Sequence, residues 1–259
     1  PHPHPHPHPD PKQVGTLCGA VDLYDACIRR TRYRGKFEFT YVSLSQVIVK
    51  RLSSGTRIVL KSHFNCEIQK INIFQDRYLV AHTPETLLMG DLESCKLSEV
   101  PWTSTGTEKF FFDNASVCMV FSAGQLALIE YGRNEILGSC RTEHMSPHLI
   151  SVRLQESKEQ AVADVKKVAY LLDLQTIRIT DLVTGITEAT VTHEAKVDWM
   201  EMNGRATKLL FRDKRRALHL FDIASQTRST LLSFSSYVQW VSNGLGLGLV
   251  LGLVLGLGF

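Results

Sequence analysis

The chain has 259 residues, 44% of them hydrophobic and 21% charged, which is enough apolar mass for a sizeable core and excludes a disordered polymer. Its net charge of +3 is too small for a dedicated nucleic-acid binder. The six cysteines (18, 27, 66, 95, 118 and 140) form no Cys-x-x-Cys pair and are too sparse for a secreted disulfide framework, so they are expected as buried, reduced thiols of a cytosolic protein.

Residues 1–11 are a low-complexity Pro-His segment that begins "PHPHPHPHPD". Its four histidines are candidate metal ligands by composition, but Pro at alternate positions keeps the backbone extended and resists gathering them round one ion. Translated repetitive DNA accounts for the segment without a function. Next, "LCGAVDLYDACIRR" carries an alternating strand ending at Tyr24–Asp25, and the basic stretch "RRTRYRGK" (Arg29 to Lys36) then breaks the rhythm.

From Phe37 onward a unit repeats. Alternating apolar strands end on a charged residue: "QVIVKRL" at Arg51–Leu52, "TLLMGDL" at Asp91–Leu92, "QLALIEY" at Glu130–Tyr131, "TIRITDL" at Asp181–Leu182 and "ALHLFDI" at Asp222–Ile223. The charged positions are spaced by 40, 39, 51 and 41 residues, and three of these intervals match the roughly 40–45 residues of a WD-type propeller blade. An apolar run precedes each anchor: "EFTYV", "RYLVAH", "SVCMVF", "KVAYLL", "TKLLF". A turn and another strand follow it: "SSGTRIVL", "ESCKLSEV", "GRNEILGS", "VTGITEAT", "SQTRSTLL". A further run ("EIQKINIF", "KFFFD", "HLISVRL", "KVDWMEM", "YVQWV") is read as the fourth strand of its unit. The long interval contains "QESKEQAVADVKK" (Gln155 to Lys167), a polar insertion read as a rim loop with room for one short helix.

The 26 residues from Asp25 to Arg51 are too few for a blade. Residues 12–36 are therefore read as the last blade remnant of a first propeller with its junction, and residues 37–243 as a partial second propeller of about five blades. One propeller with a truncated blade is the alternative. The fold class is all-β: a WD40-type β-propeller, incomplete, spanning the junction of two tandem propellers. Residues 244–259, "GLGLGLVLGLVLGLGF", are a low-complexity Gly-Leu tail. It falls short of the roughly 17–25 residues of a spanning helix, its glycines weaken a helix, and its alternation suits a strand. No transmembrane segment and no signal peptide is read in the chain.

A typical WD blade has a His near its start that hydrogen-bonds an Asp inside the blade, and it ends its third strand in Trp-Asp. Here the final Asp survives at several anchors and the Trp at none. "THEAKV" places His193 four residues before Val197, as that motif requires, and "SHFNCEI" offers His63 with one extra residue. At higher resolution, "SQVIVKRLSSGTRIVLKSH", "RYLVAHTPETLLMGDLESCKLSEVPW", "SPHLISVR", "KVDW", "KLLFRD" and "SYVQWV" resemble, in order, the second half of the propeller region of one family: the large peripheral subunits of ciliary (intraflagellar) transport complex B. The resemblance runs from about Val14 to Val241. It implies tandem WD propellers followed by a helical solenoid. It also implies a non-enzymatic interaction scaffold for cilium assembly and maintenance, other intraflagellar transport subunits as partners, and a place at the cilium, ciliary base and cytoplasm.

Enzymatic signatures are missing from the sequence. The Gly-Leu tail lacks the Lys-Ser/Thr of a phosphate loop, and there is no Gly-x-Ser-x-Gly elbow. "HMSPH" puts His144 and His148 four apart, but Pro147 opposes the helix that would align them as ligands. No cofactor, small-molecule substrate or nucleic-acid partner is expected. A propeller enzyme or small-ligand receptor with a site at the central channel is the competing class, and it would need converging carboxylates. Asp91, Asp181 and Asp222 instead end third strands, where a structural role is expected. Trp102, Trp199 and Trp240 are expected to fill gaps between blades. The polar feature of greatest interest is "RDKRR". Its cations Arg212, Lys214, Arg215 and Arg216 are the candidate contact for an acidic partner or an anionic membrane surface.

Overall fold

The computed structural model describes residues 12–15, 21–24, 28–155, 164–243 and 246–250. The chain divides into two compact units, Pro1–Leu97 and Ser98–Phe259. Strands β1 (Lys12–Gly15) and β2 (Val21–Tyr24) pair as a two-stranded ladder. Five four-stranded sheets follow, each built from strands consecutive in the chain. Sheet one is β3 (Arg29–Tyr33), β4 (Phe37–Ser43), β5 (Gln46–Arg51) and β6 (Arg57–Lys61). Sheet two is β7 (Lys70–Phe74), β8 (Tyr78–His82), β9 (Thr86–Asp91) and β10 (Lys96–Pro101). Sheet three is β11 (Lys109–Phe111), β12 (Val117–Ser122), β13 (Gln125–Glu130) and β14 (Ile136–Arg141). Sheet four is β15 (Ile150–Gln155), β16 (Val165–Asp173), β17 (Thr176–Asp181) and β18 (Thr187–Thr192). Sheet five is β19 (Val197–Met202), β20 (Lys208–Asp213), β21 (Leu218–Asp222) and β22 (Thr227–Leu232). A second ladder joins β23 (Gln239–Asn243) to β24 (Gly246–Val250).

Four-stranded antiparallel meanders of this kind are WD40-like propeller blades. All five charged anchors end the third strand of a sheet, as their spacing requires. Burial follows position in the sheet. The middle strands β8 and β9 are buried on both faces, so "TLLMGD" reads as a continuous apolar run. The edge strand β22 is mostly exposed.

In the first unit, Phe37, Phe39, Val47 and Val49 of sheet one pack against Ile71, Ile73, Leu79 and Leu88 of sheet two. In the second unit, Val117, Met119, Leu126 and Leu128 of sheet three meet Val152, Val168 and Tyr170 of sheet four. The opposite face of sheet four brings Leu171, Ile177 and Ile179 to Met200, Leu209 and Phe211 of sheet five. Burying each such side chain contributes about 2 kcal/mol. Polar bonds add register to this packing: Met202 N donates to Ser151 Oγ (3.0 Å), Arg153 Nε donates to Met202 O (3.0 Å), and Arg153 pairs with Glu201 (2.5 Å).

A backbone signature recurs in every sheet. The residue after the anchor donates its N–H to the start of the second strand, to the residue just before it in four sheets (Leu52 to Lys36, Leu92 to Arg77, Tyr131 to Ser116 and Ile223 to Thr207) and to its second residue in sheet four (Leu182 to Lys166), at 2.7–3.0 Å. At the other end, the residue after the fourth strand donates to the turn between the second and third strands. Ser62 donates to Ser45, Thr142 to Gly124 and His193 to Gln175, and in sheet five the third residue beyond β22 does so, Ser235 to Arg216.

Several expectations are corrected. The run read as the fourth strand of each unit is the first strand of the next sheet, or β23 in the last case. The basic stretch Arg29–Tyr33 is the first strand of sheet one, and Arg34 and Gly35 turn it into β4 with positive φ. The polar insertion links β15 to β16. Its residues 156–163 lie outside the described residues, while Lys166 and Lys167 belong to the strand. Cys118 and Cys140 are buried free thiols as expected, with the Cys140 pKa raised by burial to about 12. Cys66 is half-buried and Cys95 exposed. The Pro-His segment and residues 251–259 of the tail lie outside the described residues, but Gly246–Val250 forms a strand paired with β23. Among the described residues no helix is long and apolar enough to cross a membrane.

Candidate functional site

The "RDKRR" segment is the turn between β20 and β21. Asp213 N donates to Ala217 O (3.1 Å), Arg216 N donates to Asp213 O (2.9 Å), and Ala217 N donates to the Asp213 carboxylate (3.0 Å). Arg216 closes the turn at φ +69°, in the left-handed region. Lys214 N donates to Lys196 O (2.8 Å), which ties the turn to the entry of β19.

Asp213 itself is buried and roots the turn from below. His193 Nε2 lies 3.0 Å from Asp213 Oδ2, and Arg228 Nη1 lies 3.0 Å from His193 Nδ1. Guanidinium only donates, so Nδ1 accepts and the His193 proton sits on Nε2, donated to Asp213. This is the His–Asp bond that the WD pattern assigns to His193. A third group, His219, lies with its ring tilted and 4.5 Å from the His193 ring, with Nδ1 3.1 Å from Thr230 Oγ1 and Nε2 3.6 Å from Asp213 Oδ2. Burial pushes the Asp213 pKa up, but hydrogen bonds from His193 and from the Ala217 and Arg215 backbone outweigh it and leave the carboxyl below its usual range. Burial, then the neighbouring His193, lowers the His219 pKa.

His193, Asp213 and His219 bring three potential ligand atoms within 4.8 Å of one another. A metal at His193 Nε2 would displace the proton given to Asp213, force a proton onto Nδ1, and turn it against the Arg228 guanidinium. The arrangement works instead as a hydrogen-bonded root for the turn. Sequence reasoning found His193 but missed His219 and Arg228, although His219 is legible as the one polar residue on the buried face of "ALHLF".

The four candidate cations are not equivalent. Arg212 is half-buried: its Nε pairs with Asp198 Oδ1 (2.9 Å), and its Nη1 donates to Ser236 O (2.9 Å). Lys214, Arg215 and Arg216 are exposed. The structure therefore brings three of the four together on the outside of the turn and assigns the fourth to holding it.

The other polar residues are engaged in the scaffold. Asp181 Oδ1 accepts from Val183 N, Thr184 N and Thr184 Oγ1 at 2.8–3.1 Å. Asp222 Oδ1 accepts from Ser225 N and Oγ. Asp91 accepts from Glu93 N and from Arg77 through both oxygens (2.8 and 2.7 Å), and the Arg77 bond lowers its pKa to about 2 against the pull of burial. Ser62, not His63, occupies the position equivalent to His193, and His63 is exposed. Pro147–Leu149 forms a short 3-10 turn carrying His148. Trp199 and Trp240 pack beside Leu210, Leu218 and Val238, and Trp240 Nε1 donates to Glu201 O (3.1 Å). Trp102 donates to Glu108 (3.3 Å) beside a cavity of about 330 Å³ lined by Ile136 and Ala127. Another cavity of about 300 Å³, lined by Phe37, Arg51, Leu92, Glu93 and Cys95, contains one carboxylate. Neither cavity has the paired carboxylates of a glycosidase-type site.

No family model matches the chain. Over 88% of its length it is 62% identical to intraflagellar transport protein 172 of Chlamydomonas reinhardtii. Over the same share it is 56% identical to the intraflagellar transport protein 172 homolog of Homo sapiens and 43% identical to intraflagellar transport protein osm-1 of Caenorhabditis elegans. It is therefore strongly homologous to these proteins, but it spans only 13% of the length of each. Among solved structures, the C-terminal WD40 domain of Sif2 aligns over 82% of this chain and 61% of that one, with a TM-score of 0.34 and 12% identity. The blade assignment rests on strand order and not on that alignment.

Proposed function

We propose that this chain is a blade-forming segment of a non-enzymatic scaffold subunit of intraflagellar transport complex B. It acts in cilium assembly and maintenance, with other transport subunits as partners and the cilium, ciliary base and cytoplasm as its location. The observation that carries this reading is homology: 43–62% identity over 88% of the chain to seven proteins, each named as an intraflagellar transport protein or its homolog. The physical character of the sheets agrees with it. Their polar groups are engaged in holding turns and joining blades, and the variable chemistry lies outward on loops, where a scaffold meets its partners.

The same reading keeps, of the stretch 12–36 read as a remnant of a preceding propeller with its junction, only the part before β3 as that remnant, and takes the five sheets as an incomplete second propeller. An incomplete set of blades leaves unpaired strand edges, so the isolated chain is expected to self-associate on size-exclusion chromatography, and a monodisperse monomer would count against incompleteness. The functional test is an exchange. The matching segment of the Chlamydomonas protein is replaced by the homologous part of this chain, and flagellar length and protein abundance are measured. Normal flagella are expected. Short or missing flagella at normal protein abundance would overturn the reading.

A further inference from the structure

The turn between β20 and β21 and the loop after β22 are joined through their backbones. Ser235 N donates to Arg216 O (2.7 Å), and Arg212 reaches across to Ser236 O (2.9 Å). In three other sheets the residue directly after the fourth strand bonds the corresponding turn, so tying this end of the sheet to that turn belongs to the fold. The chemistry on its outside is particular to sheet five. Lys214, Arg215 and Arg216 are exposed, and among the described residues none forms an ion pair with them. On the joined loop, Phe234 is 68% exposed and Tyr237 56%, while Ser235 between them is buried. Backbone bonds thus hold three cations and two aromatic rings in one outward patch on a rigid root.

We propose that this patch docks an acidic peptide segment of a protein partner, one that carries an apolar side chain beside its carboxylates. Among the described residues no carboxylate pairs with these cations, and Arg forks match carboxylates in two-point geometry. Aromatic rings beside Arg are the residue types that anchor protein interfaces. An anionic membrane is the weaker fit. Polybasic lipid-binding segments carry roughly four to eight cations. Arg212 is engaged with Asp198, which leaves three. The proposal deepens the scaffold reading by giving the chemistry of one partner, and it rests on that reading only for the partner's setting.

The test uses the full chain and two probes: a short fluorescent Glu/Asp peptide with one central Phe, and vesicles of phosphatidylcholine with phosphatidylserine. One variant combines Lys214→Ser, Arg215→Ser and Arg216→Gly, the glycine suiting the positive φ at 216. A second is Phe234→Ser, and a control removes the exposed cation Arg57 (Arg57→Ser) on sheet one. Circular dichroism and thermal melting confirm that each folds. Peptide affinity is expected to fall about tenfold or more in the triple variant and several-fold in Phe234→Ser, to weaken with salt, and to be unchanged in the control. No peptide binding, equal loss in the control, or binding to vesicles but not peptide would overturn the proposal. Normal flagella in the segment exchange together with no peptide binding would sink this proposal alone. Defective flagella with intact peptide binding would sink the scaffold reading alone.

Discussion

Sheets two and five share strand order and backbone signature, yet they are locked at opposite ends by different chemistry. In sheet two the lock sits where the third strand ends: Asp91, 1% exposed, holds Arg77 in a two-point ion pair and caps its own turn through Glu93 N. In sheet five the lock sits at the turn between the second and third strands, where His193, Asp213 and His219 are buried under the cationic turn. Asp222, the counterpart of Asp91, caps its turn there without an arginine. The repeated backbone bonds define a blade, and the side-chain lock can occupy either end. Where it sits decides which loop is rigid enough to present chemistry.

The sharpest way to break this comparison is Asp91→Ala. Asp91 is buried while Arg77 keeps about a third of its side chain exposed, so losing the carboxylate costs about 2.5 kcal/mol. Hydrogen exchange should show β8 and β9 losing protection while β20 and β21 keep theirs. Equal loss in both sheets would mean that the locks are not local. Next in size is Gly90→Ala, whose Cβ would strike the Leu97 side chain and lie 2.5 Å from the Lys96 carbonyl oxygen. Backbone cannot yield cheaply, so the cost is about 2 kcal/mol. Gly138→Ala in sheet three meets only the movable end of Leu182 (2.7 Å) and should cost under about 1 kcal/mol by thermal melting. Asp213→Asn should cost about 1.5 kcal/mol and speed exchange at the turn, and His193→Ala should cost less on top of it than alone, because the two share the His193–Asp213 bond.

Acid separates the two locks with the smallest effect. The folded His219 pKa lies below its ordinary 6.5, so the unfolded chain takes up that proton first. Sheet five therefore begins to lose stability as pH falls below about 6.5. Asp91 has a folded pKa of about 2 against an ordinary 3.8, so its contribution is complete above 3.8 and is lost only as pH falls through about 2. Exchange measured region by region from neutral to acid pH should show sheet five loosening first. The reverse order would show that His219 is not the group sensed.

β5 and β17 were legible because burial on alternate positions wrote their period into the sequence, β9 and β13 because burial on both faces left short apolar runs, and each closing acid or base sat at its expected place. β3 was not legible. It is an edge strand with only Thr31 and Tyr33 partly buried, so "RRTRYRGK" has no apolar alternation to read. The run after each fourth strand was seen as a strand but given to the wrong sheet, because periodicity fixes spacing and not pairing. At the candidate site, four cations in a row looked alike. Arg212 differs because the register shift between Val197 and Trp199 sets β19 against β20 so that Asp198 reaches its guanidinium, a long-range fact that no local pattern carries. The aromatic half of the patch lies beyond β22 and joins the cations only through folding.

Because each sheet is made of four strands consecutive in the chain, no sheet waits for a distant segment in order to form. A ribosome would release one complete meander at a time, and within each unit a new one would close the apolar face left open by its predecessor, as Met200, Leu209 and Phe211 do for sheet four. Sheet five carries part of its own cover, since Trp240 packs beside Leu210 and Leu218 and reaches back to the Glu201 carbonyl. Translation halted just before Trp240 should therefore yield a nascent chain that chaperones hold, whereas a few residues more should let it go.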